Sequence, residues 1–495
     1  MKPIHTLIIL LTTIILLLSL SFIIPEEGLH LGNLKIKYPN PDELLSLAEK
    51  KKPQIPKNLT KKLDSLIITD ELRIDSLPDK KDSLTTTKDS IQKKEKPTKK
   101  SAAFYAPIEY PDKKVLYPFF NSLSALKEND ALIRVLHYGD SQIEGDRITS
   151  LVRNELQKEF GGSGMGMFPA VLIKGTETSL RIIREGQWSR YTIKSIERGT
   201  IPHKRLGALM SFSRFAPYAI KNTGEYKASI NIKPSNISYY RTREFEQLKM
   251  FYGYNNQPFI SELQYKNQSI DAEIIPANKN LNVVTWDLGN TVDEITLSFK
   301  GMDSPDIFAM AIDGREGIAM DNIPLRGSSG TDFTRTDIPF LREMMKRLNV
   351  KLILFQFGVN VVPHIIDNYS YYERQFYKQL RLLKSIDPDM CILVLGVSDM
   401  SRNVKGEYVS YPNITAIRNA QKAAAFKADC AFWDTYEAMG GKNSMPAWVN
   451  HEPQLARKDY THFTYTGSRV IAKSFYQSLM NEYHQYINEK EEQNR

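Results

Sequence analysis

The sequence contains little cysteine: its 495 residues include only Cys391 and Cys430. Two thiols exclude a disulfide-rich scaffold and a four-thiolate metal site. Glycine and proline number only 26 and 25, which excludes collagen-like and low-complexity architectures. The formal net charge of +9 is spread along the chain rather than gathered in a basic stripe, so nucleic acid is not expected as a partner. No spacing of His, Asp or Glu predicts a metal site, and we expect no cofactor.

One long hydrophobic run is present, at the amino terminus. Residues 4–24 read IHTLIILLTTIILLLSLSFII and carry no formal charge. About 20 apolar residues span a bilayer, whereas a cleavable signal has a shorter apolar core of about 7–15 residues. The alternative is a long cleaved signal peptide, although no small-residue cleavage site follows the run. We predict an uncleaved transmembrane anchor over residues 1–25, with the rest of the chain outside the cytoplasm (the periplasmic face of the inner membrane in a Gram-negative organism).

Residues 26–102 differ in composition from the rest of the chain. They are rich in Lys, Asp, Ser, Thr and Pro and poor in aromatics, as in the stretch KKDSLTTTKDSIQKKEKPTKK. Such a segment cannot bury enough apolar surface to offset the entropy of ordering it. We therefore predict a flexible charged stem over residues 26–102.

From residue 103 onward the composition is that of a folded protein. Short apolar runs alternate with helix-like stretches. The runs are 132–138 (LIRVLHY), 351–357 (KLILFQF), 391–397 (CILVLGV) and 430–434 (CAFWD), and the helix-like stretches include 371–385 and 416–428. Near-continuous hydrophobic strands that alternate with helices predict a parallel sheet covered on both faces.

The middle of the chain has another pattern. Short alternating stretches occur between residues 174 and 313: SLRIIRE, YTIKSI, EYKASINI, QLKMFYGY, NVVTWDL and DEITLSFKG. They are separated by turn-forming residues, which is typical of an antiparallel sandwich. We predict a β-sandwich inserted over 174–313 into an α/β domain formed by 103–173 and 314–487, with the parallel sheet resuming near 317–323.

Four short motifs follow predicted strands or precede a helix. Ser141, in Gly-Asp-Ser, follows the first strand and begins a helix, where ligands of open parallel sheets bind. Asp459 and His462 stand three residues apart before a helix, so the carboxylate can orient the imidazole as a base. Asn360 ends the strand KLILFQF, where its amide can donate to an oxyanion. The turn 326–330 (RGSSG) can present a backbone N–H. Taken singly, each motif is more typical of a cap, a turn or a surface pair.

Together and in this order, the motifs resemble the four sequence blocks of the SGNH (GDSL) hydrolase superfamily. The resemblance implies a flavodoxin-like three-layer α/β/α domain, with Ser141 as nucleophile, His462 as base and Asp459 as its orienting partner. It also implies an oxyanion hole formed by the N–H groups of Ser141 and Gly330 and the side chain of Asn360. Gly327 is the alternative to Gly330.

Longer strings resemble the peptidoglycan O-acetylesterase branch, in which a carbohydrate-binding-like, jelly-roll-like β-sandwich is inserted after the Gly-Asp-Ser helix. These include HYGDSQIEGDRITSLVRNELQKEFGGSGMG and DGREGIAMDNIPLRGSSG. Gln142 departs from that branch, which has His at this position, and Val361 replaces a frequent Asp. Trp448 precedes the Asp459–His462 motif, where it either stacks on a sugar or anchors the loop.

The sequence thus predicts a serine esterase that removes O-acetyl groups from a cell-envelope glycan, with peptidoglycan as the first candidate. Three alternatives stay open, one of them a lipase or thioesterase, which the inserted domain and the outward location disfavour. The same site in an O-acetyltransferase would pass the acyl group to a glycan hydroxyl, and a glycan-binding protein would use no catalysis. The partners expected are the O-acetylated glycan and, through the amino-terminal helix, a membrane.

Overall fold

The structure is a computed structural model. It describes residues 106–493 apart from 127, 174–178, 220–223, 245, 267 and 290–293, and before residue 106 only 11–13, 15–16, 19–20, 29–31 and 34–36. The chain divides into two units, Met1–Ile55 and Pro56–Arg495.

In the first unit, the described residues include short helical stretches between 11 and 20. They also include an antiparallel hairpin of strands β1 (Leu29–Leu31) and β2 (Leu34–Ile36). Much of the predicted anchor and nearly all of the predicted stem lie outside the described residues. Within the part of the chain that the structure describes, no helix is both long and apolar enough to cross a membrane.

The second unit contains the remaining elements. Its strands are β3 (Ile108–Glu109), β4 (Leu132–Gly139), β5 (Gly166–Phe168), β6 (Leu180–Glu185), β7 (Ser189–Thr192), β8 (Ser211–Arg214), β9 (Tyr226–Pro234), β10 (Gln247–Asn255), β11 (Phe259–Tyr265), β12 (Gln268–Ile275), β13 (Asn278–Asp287), β14 (Ile295–Gly301), β15 (Asp306–Asp313), β16 (Gly317–Pro324), β17 (Val350–Gln356), β18 (Cys391–Leu395), β19 (Ser401–Val404), β20 (Glu407–Ser410) and β21 (Ala431–Trp433). Its α-helices are α1 (Tyr117–Ala125), α2 (Thr149–Phe160), α3 (Ile193–Glu197), α4 (Ile338–Arg347), α5 (Ser370–Lys384), α6 (Ile414–Lys427), α7 (Thr435–Met439), α8 (Ser444–Val449) and α9 (Tyr465–Gln493).

A six-stranded sheet carries the candidate site. Its strand order is β16-β4-β17-β18-β21-β3, parallel except for the antiparallel edge strand β3. Taken in chain order, the five parallel strands lie 2-1-3-4-5, the flavodoxin-like doubly wound order. On one face, Leu136 and Tyr138 of β4 share an apolar cluster with α4, α5 and α6. Helices α2 and α9 lie outside that cluster and pack together through Phe160 and Tyr483. The predicted α/β class is confirmed.

The intervening chain forms two antiparallel sheets around an apolar cluster of their own. Their orders are β13-β10-β15-β8-β7, with β5 paired to β15, and β12-β11-β14-β9-β6. These strands begin at Gly166, before the predicted boundary at 174, and end at Asp313. Alternating burial along β14 shows how one face of each strand supplies this core.

One predicted strand of the sandwich is wrong in part. The stretch YTIKSI is a strand only as far as Thr192, and helix α3 begins at the next residue. The side chains of Thr192 and Ser195 each accept from the other residue's backbone N–H, which is a capping box. This local exchange of hydrogen bonds satisfies the first turn of a helix and ends the strand.

A buried ion-pair cluster fastens the sandwich to the parallel sheet. Arg134 of β4 pairs with Asp313, the last residue of β15, and with Asp321 of β16, whose Oδ1 lies 2.7 Å from the guanidinium. Asp321 also accepts the backbone N–H of Met167 in β5 at 2.6 Å. Burial raises the pKa of Asp321 to about 6, and Arg134 acts in the opposite direction. The inserted strands are thus held against the sheet beside β4.

The two cysteines lie in or next to strands of the parallel sheet, and both are free and buried. Burial raises the pKa of Cys391 to about 11 and that of Cys430 to about 12. Thiols in such surroundings stay protonated and are poor nucleophiles.

Candidate active site

Ser141 lies at the carboxyl edge of the parallel sheet, directly after its strand β4. That strand ends at Gly139, where a Cβ would lie 2.8 Å from a backbone carbonyl oxygen of β17. Asp140 follows and accepts the N–H groups of Gly358 at 3.1 Å and Val359 at 3.3 Å. Burial raises the pKa of Asp140 to about 7, with the backbone N–H donors acting in the opposite direction. The turn that carries Ser141 is therefore fixed to the loop after β17.

Ser141, His462 and Asp459 form one hydrogen-bonded chain of side chains. Ser141 Oγ lies 2.8 Å from His462 Nε2, and His462 Nδ1 lies 2.8 Å from Asp459 Oδ2. Asp459 Oδ1 accepts the N–H groups of Thr461 and His462, both at 2.9 Å. Burial raises the pKa of Asp459, but the hydrogen bonds from His462 and Thr461 outweigh it and hold the pKa below its usual range. A serine beside an imidazole oriented by a carboxylate is the arrangement that activates a hydroxyl for acyl transfer.

Two side chains that follow the serine hold the turn that carries His462. Gln142 donates through Nε2 to the Thr461 carbonyl at 2.9 Å and accepts the Phe463 N–H at 3.2 Å through Oε1. Arg147 donates to the Phe463 carbonyl at 3.0 Å and to the carbonyl of the serine at 2.9 Å. The sequence identified Gln142 only as a departure from the O-acetylesterase branch. Its contact with residues far along the chain shows a positioning role that no local pattern indicated.

Replacing Gln142 by Leu is expected to lower kcat about 10–100-fold on a small acetyl ester, with KM little changed. The variant leaves the Thr461 carbonyl and the Phe463 N–H without their partners, and a misplacement of about 1 Å can cost 10²-fold in rate. Steady-state kinetics measures both constants. Gln379→Leu is the matched control, because Gln379 is equally buried but bonds to Thr334 and its own helix. Equal kcat values for the two variants would contradict the positioning role.

Asn360 and the loop of Gly330 lie together at the same edge. Asn360 Nδ2 donates one hydrogen to the Ser328 carbonyl at 2.9 Å, and the amide carries a second hydrogen. The Gly330 N–H donates to Ser328 Oγ at 3.0 Å, so it can bind an oxyanion only when that hydroxyl turns away. Both Gly330 and Gly327 have positive φ, at 78° and 80°. A Cβ would clash at 2.8 Å with the Phe357 ring at Gly330, but it would face open space at Gly327. The choice of Gly330 stays a prediction.

The predicted sugar-stacking role of Trp448 is wrong, because the side chain has no exposed surface. Its indole Nε1 donates to the Met439 carbonyl at 3.0 Å, and the ring packs against Phe463 with centroids 5.4 Å apart. The Trp448 carbonyl accepts the N–H groups of Leu455 and Ala456. Trp448 therefore anchors the loop that leads to the His462 turn, which was the alternative interpretation.

Trp448→Ala is expected to lower the free energy of unfolding by about 3–5 kcal/mol, because it leaves a large cavity and an unpaired carbonyl. Denaturant unfolding measures this change, with Trp448→Phe as a milder control that keeps most of the volume. Because Trp448 packs against Phe463, which adjoins His462, activity on small and polymeric esters should fall together. A loss confined to the polymer would contradict the anchoring role.

A hairpin beside the Asp459–His462 turn was not predicted. Strands β19 and β20 pair antiparallel, and the Tyr408 ring stacks on Tyr460 with centroids 3.4 Å apart and planes 3° apart. The Ser401 N–H donates to the Tyr460 carbonyl at 3.0 Å. The sequence contains a signal for it, since Lys405-Gly406 separates two short polar–apolar stretches. The hairpin adds a partly exposed aromatic surface next to the site.

Among the described residues, no group of three or more His, Cys, Asp or Glu is placed to hold a metal ion. No family model and no curated protein matches the sequence. The solved structure of a peptidoglycan O-acetylesterase aligns with 76% of this chain and 99% of its own, at 18% identity and a TM-score of 0.59.

Two other solved structures match with low TM-scores. A carbohydrate esterase family 3 protein from Talaromyces cellulolyticus covers 33% of this chain and 72% of its own, at 17% identity and a TM-score of 0.25. A family two carbohydrate esterase from Clostridium thermocellum, in complex with cellohexaose, covers 61% and 99%, at 8% identity and a TM-score of 0.24. The match to the O-acetylesterase structure shows that the chain has the fold predicted from its resemblance to the SGNH hydrolases.

Proposed function

We propose that this protein is a serine esterase that removes O-acetyl groups from a cell-envelope glycan, with peptidoglycan as the substrate. The observation that carries the proposal is the hydrogen-bonded chain Ser141–His462–Asp459 at the carboxyl edge of the sheet. The protein shares its fold with a peptidoglycan O-acetylesterase, which adds support for a glycan as the substrate.

In the proposed reaction, Ser141 Oγ attacks the acetyl carbonyl while His462 Nε2 takes its proton. Asp459 keeps the imidazole in the required tautomer and stabilises its positive charge. The second amide hydrogen of Asn360 donates to the carbonyl oxygen as it becomes an oxyanion, together with the N–H groups of Ser141 and Gly330. His462 then gives the proton to the departing sugar oxygen, and an acetyl-serine remains.

Water completes the cycle. His462 removes a proton from the water that attacks the acetyl-serine, and the second tetrahedral intermediate collapses with return of that proton to Ser141 Oγ. The products are acetate and the free enzyme. Every proton transfer uses one imidazole, so the cycle needs no second acid or base.

We also propose that the catalytic part of the protein lies outside the cytoplasm. O-acetylated envelope glycans lie outside the cytoplasm, and the apolar run over residues 4–24 is long enough to anchor the chain with its catalytic part there. The anchor rests on the sequence alone.

Release of acetate from purified O-acetylated peptidoglycan by the full-length protein tests the proposal. The matched negative control is the same polymer after mild alkaline de-O-acetylation, and Ser141→Ala is the protein control. Acetate from the first polymer alone is the expected result. Transfer of a labelled acetyl group to an added saccharide rather than water would identify a transferase, and a preference for long acyl chains would identify a lipase.

A further inference from the structure

A cleft lies between the β-sandwich and the parallel sheet, next to the segment that carries Ser141. Its lining is largely apolar and comes from both parts of the fold; the residues used below are Gly145, Asp146, Leu180, Arg190 and Pro324. Gly145 and Asp146 end the 3₁₀ turn that Ser141 begins. Pro324 ends β16, just before the loop of Gly330. The cleft therefore includes residues of the same two segments that carry Ser141 and lead to Gly330.

Arg190, on β7, supplies an unpaired positive charge to this cleft. Its Nε is shut off from solvent without a hydrogen bond, and its guanidinium has no ion-pair partner among the described residues. Arg134 and Arg153, which are fully buried, do have ion-pair partners: Arg134 pairs with Asp313 and Asp321, and Arg153 pairs with Asp146. Burial lowers the pKa of Arg190 to about 10, which reflects the missing anion. A half-buried cation whose Nε is shut off from water and which has no counter-charge is costly, so the site favours an anion.

The acidic residue of the cleft does not neutralise Arg190. Asp146 accepts from both terminal nitrogens of Arg153, at 2.8 and 3.0 Å, and also from the Ser179 hydroxyl. Its charge is therefore already balanced, and among the described residues that line the cleft the positive charge of Arg190 is the one left over.

We propose that the cleft binds a carboxylate carried by the glycan, with Arg190 as its ligand. The inference rests on the proposed function, because it names a chemical feature of the glycan that Ser141 deacetylates. A guanidinium presents parallel N–H donors that match the two oxygens of a carboxylate. One guanidinium balances one negative charge, which favours a carboxylate over a phosphate dianion. Apolar walls such as Leu180 limit water and strengthen the pair.

The test compares two O-acetylated oligosaccharides that differ only in a free carboxylate or the corresponding carboxamide. We expect the full-length protein to show a kcat/KM about 10- to 100-fold higher for the carboxylate, the size of one charge-assisted hydrogen-bonding site. Arg190→Gln should abolish this preference and leave hydrolysis of 4-nitrophenyl acetate unchanged. Arg190→Lys, which keeps the charge but not the planar donors, should retain part of it. Arg181→Gln is the matched control, since Arg181 is exposed on the opposite face of β6 from Leu180.

A wild-type protein without the preference, or an Arg190→Gln variant that keeps it, would overturn the proposal while the esterase stands. The proposal would also be overturned if Arg190→Gln lowered activity on 4-nitrophenyl acetate as much as activity on the carboxylated oligosaccharide, because Arg190 would then have a structural role. If no ester is hydrolysed, the proposed function fails. Calorimetric titration with the carboxylated oligosaccharide then tests independently whether the cleft binds a carboxylate. Binding lost in Arg190→Gln and kept in Arg181→Gln would support it, and equal binding would overturn it. If Arg190→Gln does not fold, Arg190→Lys decides: a reduced preference for the carboxylate supports the site, and an undiminished preference overturns it.

Discussion

Ser141→Ala and His462→Ala are each expected to lower kcat for an acetyl ester by about 10⁴–10⁶-fold, and the double variant should be little worse than either. The two side chains act in one step, because His462 Nε2, 2.8 Å from Ser141 Oγ, takes the proton that the nucleophile must lose. Once one of the two side chains is absent, the other no longer contributes to the reaction, so removing it as well causes little further loss. Steady-state kinetics on 4-nitrophenyl acetate and on O-acetylated polymer measures all three proteins.

An exposed histidine provides the control for this experiment. His484→Ala, on the surface of α9, should retain the kcat of the unmodified protein. An active Ser141→Ala protein would exclude Ser141 as the nucleophile. Losses that multiply in the double variant would mean that the two residues act independently, which a shared proton transfer does not allow.

The sequence was sufficient to predict the parallel sheet because its strands are buried on both faces. The run LIRVLHY became β4 with one residue added, and KLILFQF became β17 shifted by one residue. In a continuous apolar run both faces of the strand are buried, so the strand can be predicted without knowing which face each residue occupies. The antiparallel edge strand β3 was not predicted, because two residues, Ile108 and Glu109, carry no periodic signal.

Contacts between distant segments limited the prediction of the site. Short motifs indicated Ser141, Asp459 and His462, because strand ends of a parallel sheet meet at one edge. The role of Gln142 depends instead on its hydrogen bonds to the Thr461 carbonyl and the Phe463 N–H, which sequence patterns do not predict. Trp448 shows the same limit, since an aromatic side chain near a site packs inward or faces solvent according to neighbours such as Phe463.

Asn360 connects two of these segments, which makes its replacement informative. It follows β17, whose loop is tied to the Ser141 turn through Asp140, and it donates to the Ser328 carbonyl before Gly330. An amide held in this way is preorganised, so it need not reorient when charge develops on the substrate oxygen.

Asn360→Ala is therefore expected to lower kcat by about 10²–10³-fold, the usual cost of one lost oxyanion donor. Unlike Ser141→Ala, it keeps the nucleophile and His462, so a serine-directed fluorophosphonate should still label the protein, though slowly, while Ser141→Ala should show no label. Asn419→Ala, at an exposed asparagine of α6, should match the unmodified protein in both measurements. Full turnover by Asn360→Ala would remove Asn360 from the oxyanion hole. Complete loss of labelling in a folded Asn360→Ala protein would instead show that Asn360 holds the Ser141 turn in place.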